Sequence, residues 1–342
     1  MNKIEVSSCW CGSNTLKSYS SCYVRCTKCD TLINSPRFED SFFDVSNDDE
    51  SYYGKNYWLE HQTNDLGLQN IIDRAKSDLA GRCIYWLKTI LKYIKPHAST
   101  LEVGFGSGGL IALLKSLEFV SSGIEMSNWV VQFVKQIYDV EVFQGNVENY
   151  KSRSHFDAVI LMDVLEHLPD PMKTVGAISE LIREEGFLII QTPCFRNKNL
   201  SYSDLNAAND PFVDMMIDQE HLFLFTEAGL IELLKSHGFH YYISERPLFP
   251  YDMFIVASRR PIKQIEDNQI VRFLESSRKG RIIQALIKVY DEKVRIEEQA
   301  VLRLNSIEKL ESWLKESEKD RANRLVMINE LEQRLKVSEE DR

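Results

Sequence analysis

Along the chain the hydrophobic rhythm changes three times. Residues 1–45 hold few apolar runs and many turn formers. From about Leu68 to Ile94, apolar side chains at Ile71, Ile72, Ala75, Leu79, Cys83, Trp86, Leu87, Ile90 and Ile94 recur at helical spacing, and Pro96 marks the end. Strands and amphipathic helices then alternate. Strands are predicted at Thr100–Val103, Val120–Ile124, Val140–Phe143, Phe156–Met162 and Gly186–Gln191, with helices at Gly109–Leu117, Trp129–Tyr138 and Pro171–Ile182. A helix at Glu227–His237 precedes two last strands, near His240–Glu245 and Asp252–Ser258. Their link is too short for a crossover helix, so they are expected to form an antiparallel hairpin at the sheet edge. The alternation predicts an α/β fold with a mainly parallel sheet and helices on both faces.

After Pro261 there is no further proline, and after Gly280 no further glycine. Arg281–Lys336 is dense in Glu, Lys, Arg and Leu. A heptad seam runs through Ile307, Leu310, Leu314, Ile328, Leu331 and Leu335, interrupted by Ser317, Arg321 and Arg324. A continuous helix here would be on the order of 80–90 Å long. Its apolar stripe calls for a partner, and a homo-oligomeric coiled coil is expected. A single charged helix and one folded back on the rest of the chain are the alternatives. The expected division is a Cys module at 1–45, an α/β domain at 46–260, a linker at 261–280 and a long helix at 281–342.

At 342 residues and 44% hydrophobic, the chain can hold one large core and smaller modules. A formal charge of -10 argues against a nucleic-acid partner held through its phosphates. The N-terminus does not read as a signal peptide, and nowhere do eighteen apolar residues run together, so a cytoplasmic chain with no membrane span is expected. Five of the seven cysteines fall between Cys9 and Cys29. Crowded thiols in a reducing compartment bind metal more often than they form disulfides. Cys9-x-Cys11 and Cys26-x-x-Cys29 can converge tetrahedrally on a structural zinc ion. Ser8 stands where the first knuckle would usually have its cysteine, and Cys22 is a spare thiol.

The most specific run is Leu101-Glu-Val-Gly-Phe-Gly-Ser-Gly-Gly109, between a predicted strand and a predicted helix. Gly104, Gly106 and Gly108 allow a sharp turn and a close ligand approach. The second strand ends in Gly123-Ile-Glu125, where a carboxylate can accept from both hydroxyls of a ribose. Glu102 would repel a pyrophosphate but suits an amino acid and a sulfonium, which weighs against a dinucleotide.

With these residues the chain resembles the class I methyltransferase superfamily, and especially its type 23 group. The resemblance covers about residues 50–260. It rests on Leu101–Gly109, Glu125, Phe156–Pro171 with its Glu-His-Leu-Pro-Asp-Pro ending, Gly186–Pro193 and Glu220–Thr226. It implies a Rossmann-like, seven-stranded sheet and S-adenosylmethionine as methyl donor. It also implies that Glu102, Gly104 and Gly106 contact the methionine part and Glu125 the ribose. Asn146 stands in place of the family's usual Asp against adenine, backbone near Met162 and Asp163 lines the pocket, and Tyr52, Tyr53 and Tyr57 either close it or pack in the core. Similar enzymes of polysaccharide gene clusters carry a zinc ribbon followed by a run like Asn34-Ser-Pro-Arg37.

His167, just past the fourth strand, and His221, after the polar connection Cys194–Gln219, stand where a base would serve an acceptor hydroxyl. Each can instead brace its loop. Cys194–Gln219 is expected to be the acceptor lid. By analogy with similar enzymes, the expected acceptor is a sugar or glycan hydroxyl, with the long helix docking on a polysaccharide assembly. Alternatives are a nucleotide sugar or quinone-like phenol as acceptor, a donor-binding scaffold without turnover, and a nicotinamide dehydrogenase.

Overall fold

The computed structural model describes residues 3–152 and 154–340, the side chains of 337–340 excepted. Contacts divide the chain at Ile287/Lys288 into two units. The first is built on a seven-stranded sheet: β1 Ser99–Val103, β2 Val120–Glu125, β3 Glu141–Gln144, β4 Phe156–Met162, β5 Ile182–Pro193, β6 Tyr241–Glu245 and β7 Asp252–Ser258. Its order is β6-β7-β5-β4-β1-β2-β3. β3, β2, β1, β4 and β5 run parallel, and β7 is antiparallel to both neighbours, as the short link between the last two strands predicts. Ala158, Val159, Ile160 and Leu161 of β4 are wholly buried, which is why that strand reads as an unbroken apolar run.

Short polar caps start the covering helices where the pattern places them. Ser127 Oγ accepts from Val130 N at the head of Asn128–Ile137, Asp170 Oδ1 from Lys173 N at Pro171–Leu181, and Thr226 Oγ1 from Gly229 N at Glu227–Ser236. Register then fixes the site. Val103 lies beside Ile124 on one side and Leu161 on the other, so Gly104, Glu125 and Met162 emerge together at one edge of the sheet.

Three expectations need revision. The helix expected over Leu68–Ile94 is two helices, Ile71–Ala80 and Arg82–Ile90, broken at Gly81, whose backbone (φ -110°, ψ -111°) fits neither. The expected linker contains a helix, Asp267–Ser276, with Leu274 buried. The Cys module pairs Lys3–Ile4 with Arg37–Phe38 by itself, but its larger sheet is not self-contained. Its strands Leu16–Ser18, Tyr23–Cys26 and Leu32–Asn34 are completed by Phe223–Leu224 from far along the chain, with Phe223 opposite Ile33. The long helix runs Arg278–Glu340. Among the described residues, no helix is long and apolar enough to cross a membrane.

Candidate active site

The C-terminal edge of the sheet opens into a cavity of ≈ 750 Å³. Gly104, Gly106 and Gly108 all take positive φ (67°, 49° and 74°). A Cβ on Gly104 would lie 2.7 Å from Val164 Cγ2, and one on Gly108 2.7 Å from Val134 Cγ1. Gly104 and Gly106 line the cavity, but Gly108 does not: its missing side chain makes room for the helix carrying Val134. Gly108 thus serves the close packing of the turn against that helix.

Glu102 and Glu125 both line the cavity and are almost fully buried. Burial pushes the Glu102 carboxyl up to about 8 and that of Glu125 up to about 7. Glu102 Oε2 has no hydrogen-bond partner, a cost that a cationic donor group in the cavity would remove. Glu125 Oε1 accepts from Met126 N (2.8 Å) and Ser127 N (3.4 Å), which fixes the carboxylate at the cavity wall. Asn146 also lines the cavity. Its Oδ1 accepts from Asn149 N (3.2 Å), leaving the NH2 group and one oxygen lone pair for a nucleobase.

Met162 ends β4, and Asp163 follows in a left-handed conformation (φ 58°). Asp163 N donates to Gln191 O and Asp163 Oδ1 accepts from Gln191 Nε2 (2.9 Å), while Trp86 Nε1 donates to Gln191 Oε1 (3.0 Å). The Arg82 guanidinium stands 3.5 Å from Asp163 Oδ2. Burial, and then the Asp163 charge, pushes Asp252 up to about 8.

His167 and His221 come together with their rings 4.8 Å apart, both at the cavity. His167 Nδ1 lies 3.0 Å from Glu220 O and His221 Nδ1 2.6 Å from Met215 O. A carbonyl oxygen only accepts, so each Nδ1 carries the proton and each Nε2 keeps its lone pair. Burial holds both imidazoles below their usual range, with the neighbouring His221 adding to the effect on His167.

The tyrosines do more than fill space. Tyr53 OH lies 3.2 Å from His167 Nδ1. Glu220, which sequence reasoning left without a role, is the hub of a buried network. Its Oε1 receives Tyr52 OH (3.1 Å) and His61 Nε2 (2.8 Å), and its Oε2 receives Tyr57 OH (3.0 Å). Residues 52–61 are thereby tied to the loop that carries His221, and Trp58 stands over the Gly106 turn. Glu166, inside the quoted motif but given no role, is also buried and accepts from Thr192 Oγ1 at 2.9 Å.

The connection Cys194–Gln219 differs from the expected lid. Phe195, Leu205 and Phe212 pack with Tyr23 and Leu32 of the Cys module, and only Met215 and Ile217 reach the cavity. Phe43, Leu66, Phe249 and Tyr251, from other segments, supply apolar wall instead.

In the Cys module, the sulfurs of Cys9, Cys11, Cys26 and Cys29 all lie within 4.8 Å of one another. Cys9–Cys29 is 3.4 Å and Cys11–Cys26 is 3.6 Å. Four thiolates about 2.3 Å from a zinc ion lie roughly 3.8 Å apart, so this donor set fits zinc. Cys22 stands outside it, 3.5 Å from Ser21 Oγ.

Residues 75–242 match the type 23 family of "Methyltransferase domain". That stretch, just under half of the chain, is similar to methyltransferase domains. The ubiquinone biosynthesis O-methyltransferase of Nitrosospira multiformis is 32% identical over 117 residues, 30% of this chain and 48% of that protein. The enzyme of the same name from Coxiella burnetii is 25% identical over 177 residues, 44% of this chain and 73% of that one. This chain thus spans about half the length of the first of these relatives. Among solved structures, magnesium protoporphyrin IX methyltransferase from Synechocystis PCC 6803 with bound SAH is 16% identical (TM-score 0.42), covering 59% of this chain and 98% of that one.

Proposed function

We propose that this chain transfers a methyl group from S-adenosylmethionine to a hydroxyl of an aromatic, phenol-type acceptor. The observation that carries the donor half is the partnerless Glu102 Oε2 in a cavity that also holds the Gly104–Gly106 turn and Glu125. The donor supplies an electrophilic methyl carbon on a sulfonium. Glu102 neutralises its ammonium group, Glu125 receives the ribose hydroxyls, and Asn146 meets the adenine. The Nε2 lone pairs of His167 and His221 lie at the acceptor end, where a hydroxyl must lose its proton before attack.

For the acceptor, the quinone-like phenol replaces the sugar as the preferred reading. Both relatives described above are named ubiquinone biosynthesis O-methyltransferases. The cavity walls from Phe43, Tyr53, Trp86, Phe249 and Tyr251 suit a planar ring better than a polyhydroxylated one. The four-thiol cluster would hold a structural zinc ion, and the seam of the long helix would pair with a second copy of the chain.

The test is transfer of labelled methyl from S-adenosylmethionine into fractionated extract. Label is expected in phenolic and quinone lipids. Label confined to glycans or nucleotide sugars would restore the sugar reading, and donor binding without label in any fraction would favour a scaffold. His167→Ala is expected to abolish turnover and leave donor affinity intact by calorimetry. Unchanged turnover would remove His167 from the chemistry.

A further inference from the structure

Glu220 lines the cavity, and a chain of hydrogen bonds leads from it to the surface. Its Oε1 lies 2.8 Å from His61 Nε2, and His61 Nδ1 lies 2.6 Å from Asp65 Oδ2. The side chains pass from buried to open along this line, 3% exposed at Glu220, 26% at His61 and 63% at Asp65. On the cavity side the hydroxyl of Tyr57, another wall residue, donates to Glu220 Oε2 at 3.0 Å.

Each contact of His61 must hold a proton. A bare ring nitrogen presents a lone pair, and so does a carboxylate oxygen, so neither contact could close to these distances without one. Two protons are therefore shared among three groups, in line between cavity and solvent. A brace for the loop needs less, because Tyr52 and Tyr57 already give Glu220 a donor on each oxygen. The ring is also held in position. Tyr57 stacks on it at 5.4 Å and 29°, and Tyr52 OH lies 3.1 Å from Nε2. His61 ends a π-helical turn, Tyr57–His61, a form that is rare and frequent at functional sites.

We infer that Tyr57, Glu220, His61 and Asp65 form a relay that carries protons from the cavity to solvent. The relay rests on the methyl-transfer reading, in which each turnover releases one proton. The acceptor O–H bond breaks, the oxygen's electron pair forms the new C–O bond, and the C–S pair returns to sulfur. A histidine that takes this proton must shed it before the next cycle. At the wall, Tyr57 Oη accepts it and passes its own proton to Glu220 Oε2. The proton between Glu220 Oε1 and His61 Nε2 moves onto the ring, and the one on Nδ1 leaves through Asp65 to water. One proton enters, one leaves, and no electrons are exchanged.

The test compares methyl transfer into the extract fraction that takes label by the full-length parent, His61→Ala and His61→Gln, with donor binding by calorimetry as the check of folding. Turnover is expected to fall by about tenfold or more in both variants with little change in KM, since glutamine can keep a bond to Glu220 but cannot pass a proton across its side chain. Imidazole in the buffer should restore His61→Ala and leave the parent unchanged. Parental turnover in His61→Gln, or a loss in His61→Ala that imidazole does not relieve, would overturn the relay and leave His61 a brace. If the His61 variants do not fold, Asp65→Asn at the exposed end decides. It should turn over more slowly and recover as buffer concentration rises, and unchanged turnover there overturns the relay as well. A parent that transfers no label sinks the methyl-transfer reading and the relay with it, whereas a parent that transfers while His61→Gln keeps its rate sinks the relay alone.

Discussion

At Glu102, burial and charge work against each other. The side chain is 4% exposed and one of its oxygens is unpaired, so the donor-free protein holds it protonated up to about pH 8. A carboxyl whose folded value lies above its unfolded one binds more protons in the folded chain across that interval, so stability falls as pH rises from about 4.5 to about 8. Melting temperatures at about pH 5.5 and about pH 8.5 should therefore differ less in Glu102→Gln than in the parent. An identical difference in both would place the titration on other groups. The same substitution should weaken donor affinity by about tenfold or more, since a hydrogen bond to a charged group contributes about 1.5–3 kcal/mol. Glu102, Glu125 and the glycine turn were legible in the sequence because they lie within two strand ends of one motif. Glu220 was not, because its role comes from Tyr52, Tyr57 and His61, more than 150 residues away in sequence.

Between elements, the Gly108 turn and the Cys module are the places where one substitution should be felt furthest. Gly108→Ala forces a left-handed alanine against Val134 and should cost about 1–3 kcal/mol in chemical denaturation, with donor affinity in the surviving folded protein changed little. A loss of donor binding without loss of stability would put Gly108 back among the ligand contacts. The Cys module reaches the cavity through Tyr23 OH, which donates to His221 O (2.8 Å), and through the Phe223–Leu224 ladder. Cys26→Ser should accordingly lower the melting temperature and also raise the acceptor KM, because the loop bearing His221 loses its support. Normal stability with no change in metal content would argue against a structural zinc. The spacing of Cys9, Cys11, Cys26 and Cys29 already pointed to this cluster. Its union with the segment after His221 was hidden, since Phe223–Leu224, the strand that completes its larger sheet, is two residues long and carries no periodicity of its own.

For the whole molecule, the long helix is the least satisfied part by itself. Ile307, Leu310, Leu314, Ile328, Leu331 and Leu335 are 49–63% exposed along one seam. Replacing Leu310 and Leu314 with lysine should reduce the mass found by sedimentation equilibrium to that of one chain. If the parent is already monomeric, the seam does not serve self-association.

Local pattern alone determined the order of strands and helices, the glycine turn, the paired cysteines and the heptads, because each is written within a few dozen residues and obeys a backbone period. Only the tertiary structure decided which distant groups meet: Glu166 and His167 with His221, Glu220 with the tyrosines, and most of the connection Cys194–Gln219 with the Cys module, its Met215 and Ile217 alone reaching the cavity. Those contacts depend on sheet register and on the burial of polar side chains that only a closed core can desolvate. No run of neighbouring residues encodes that.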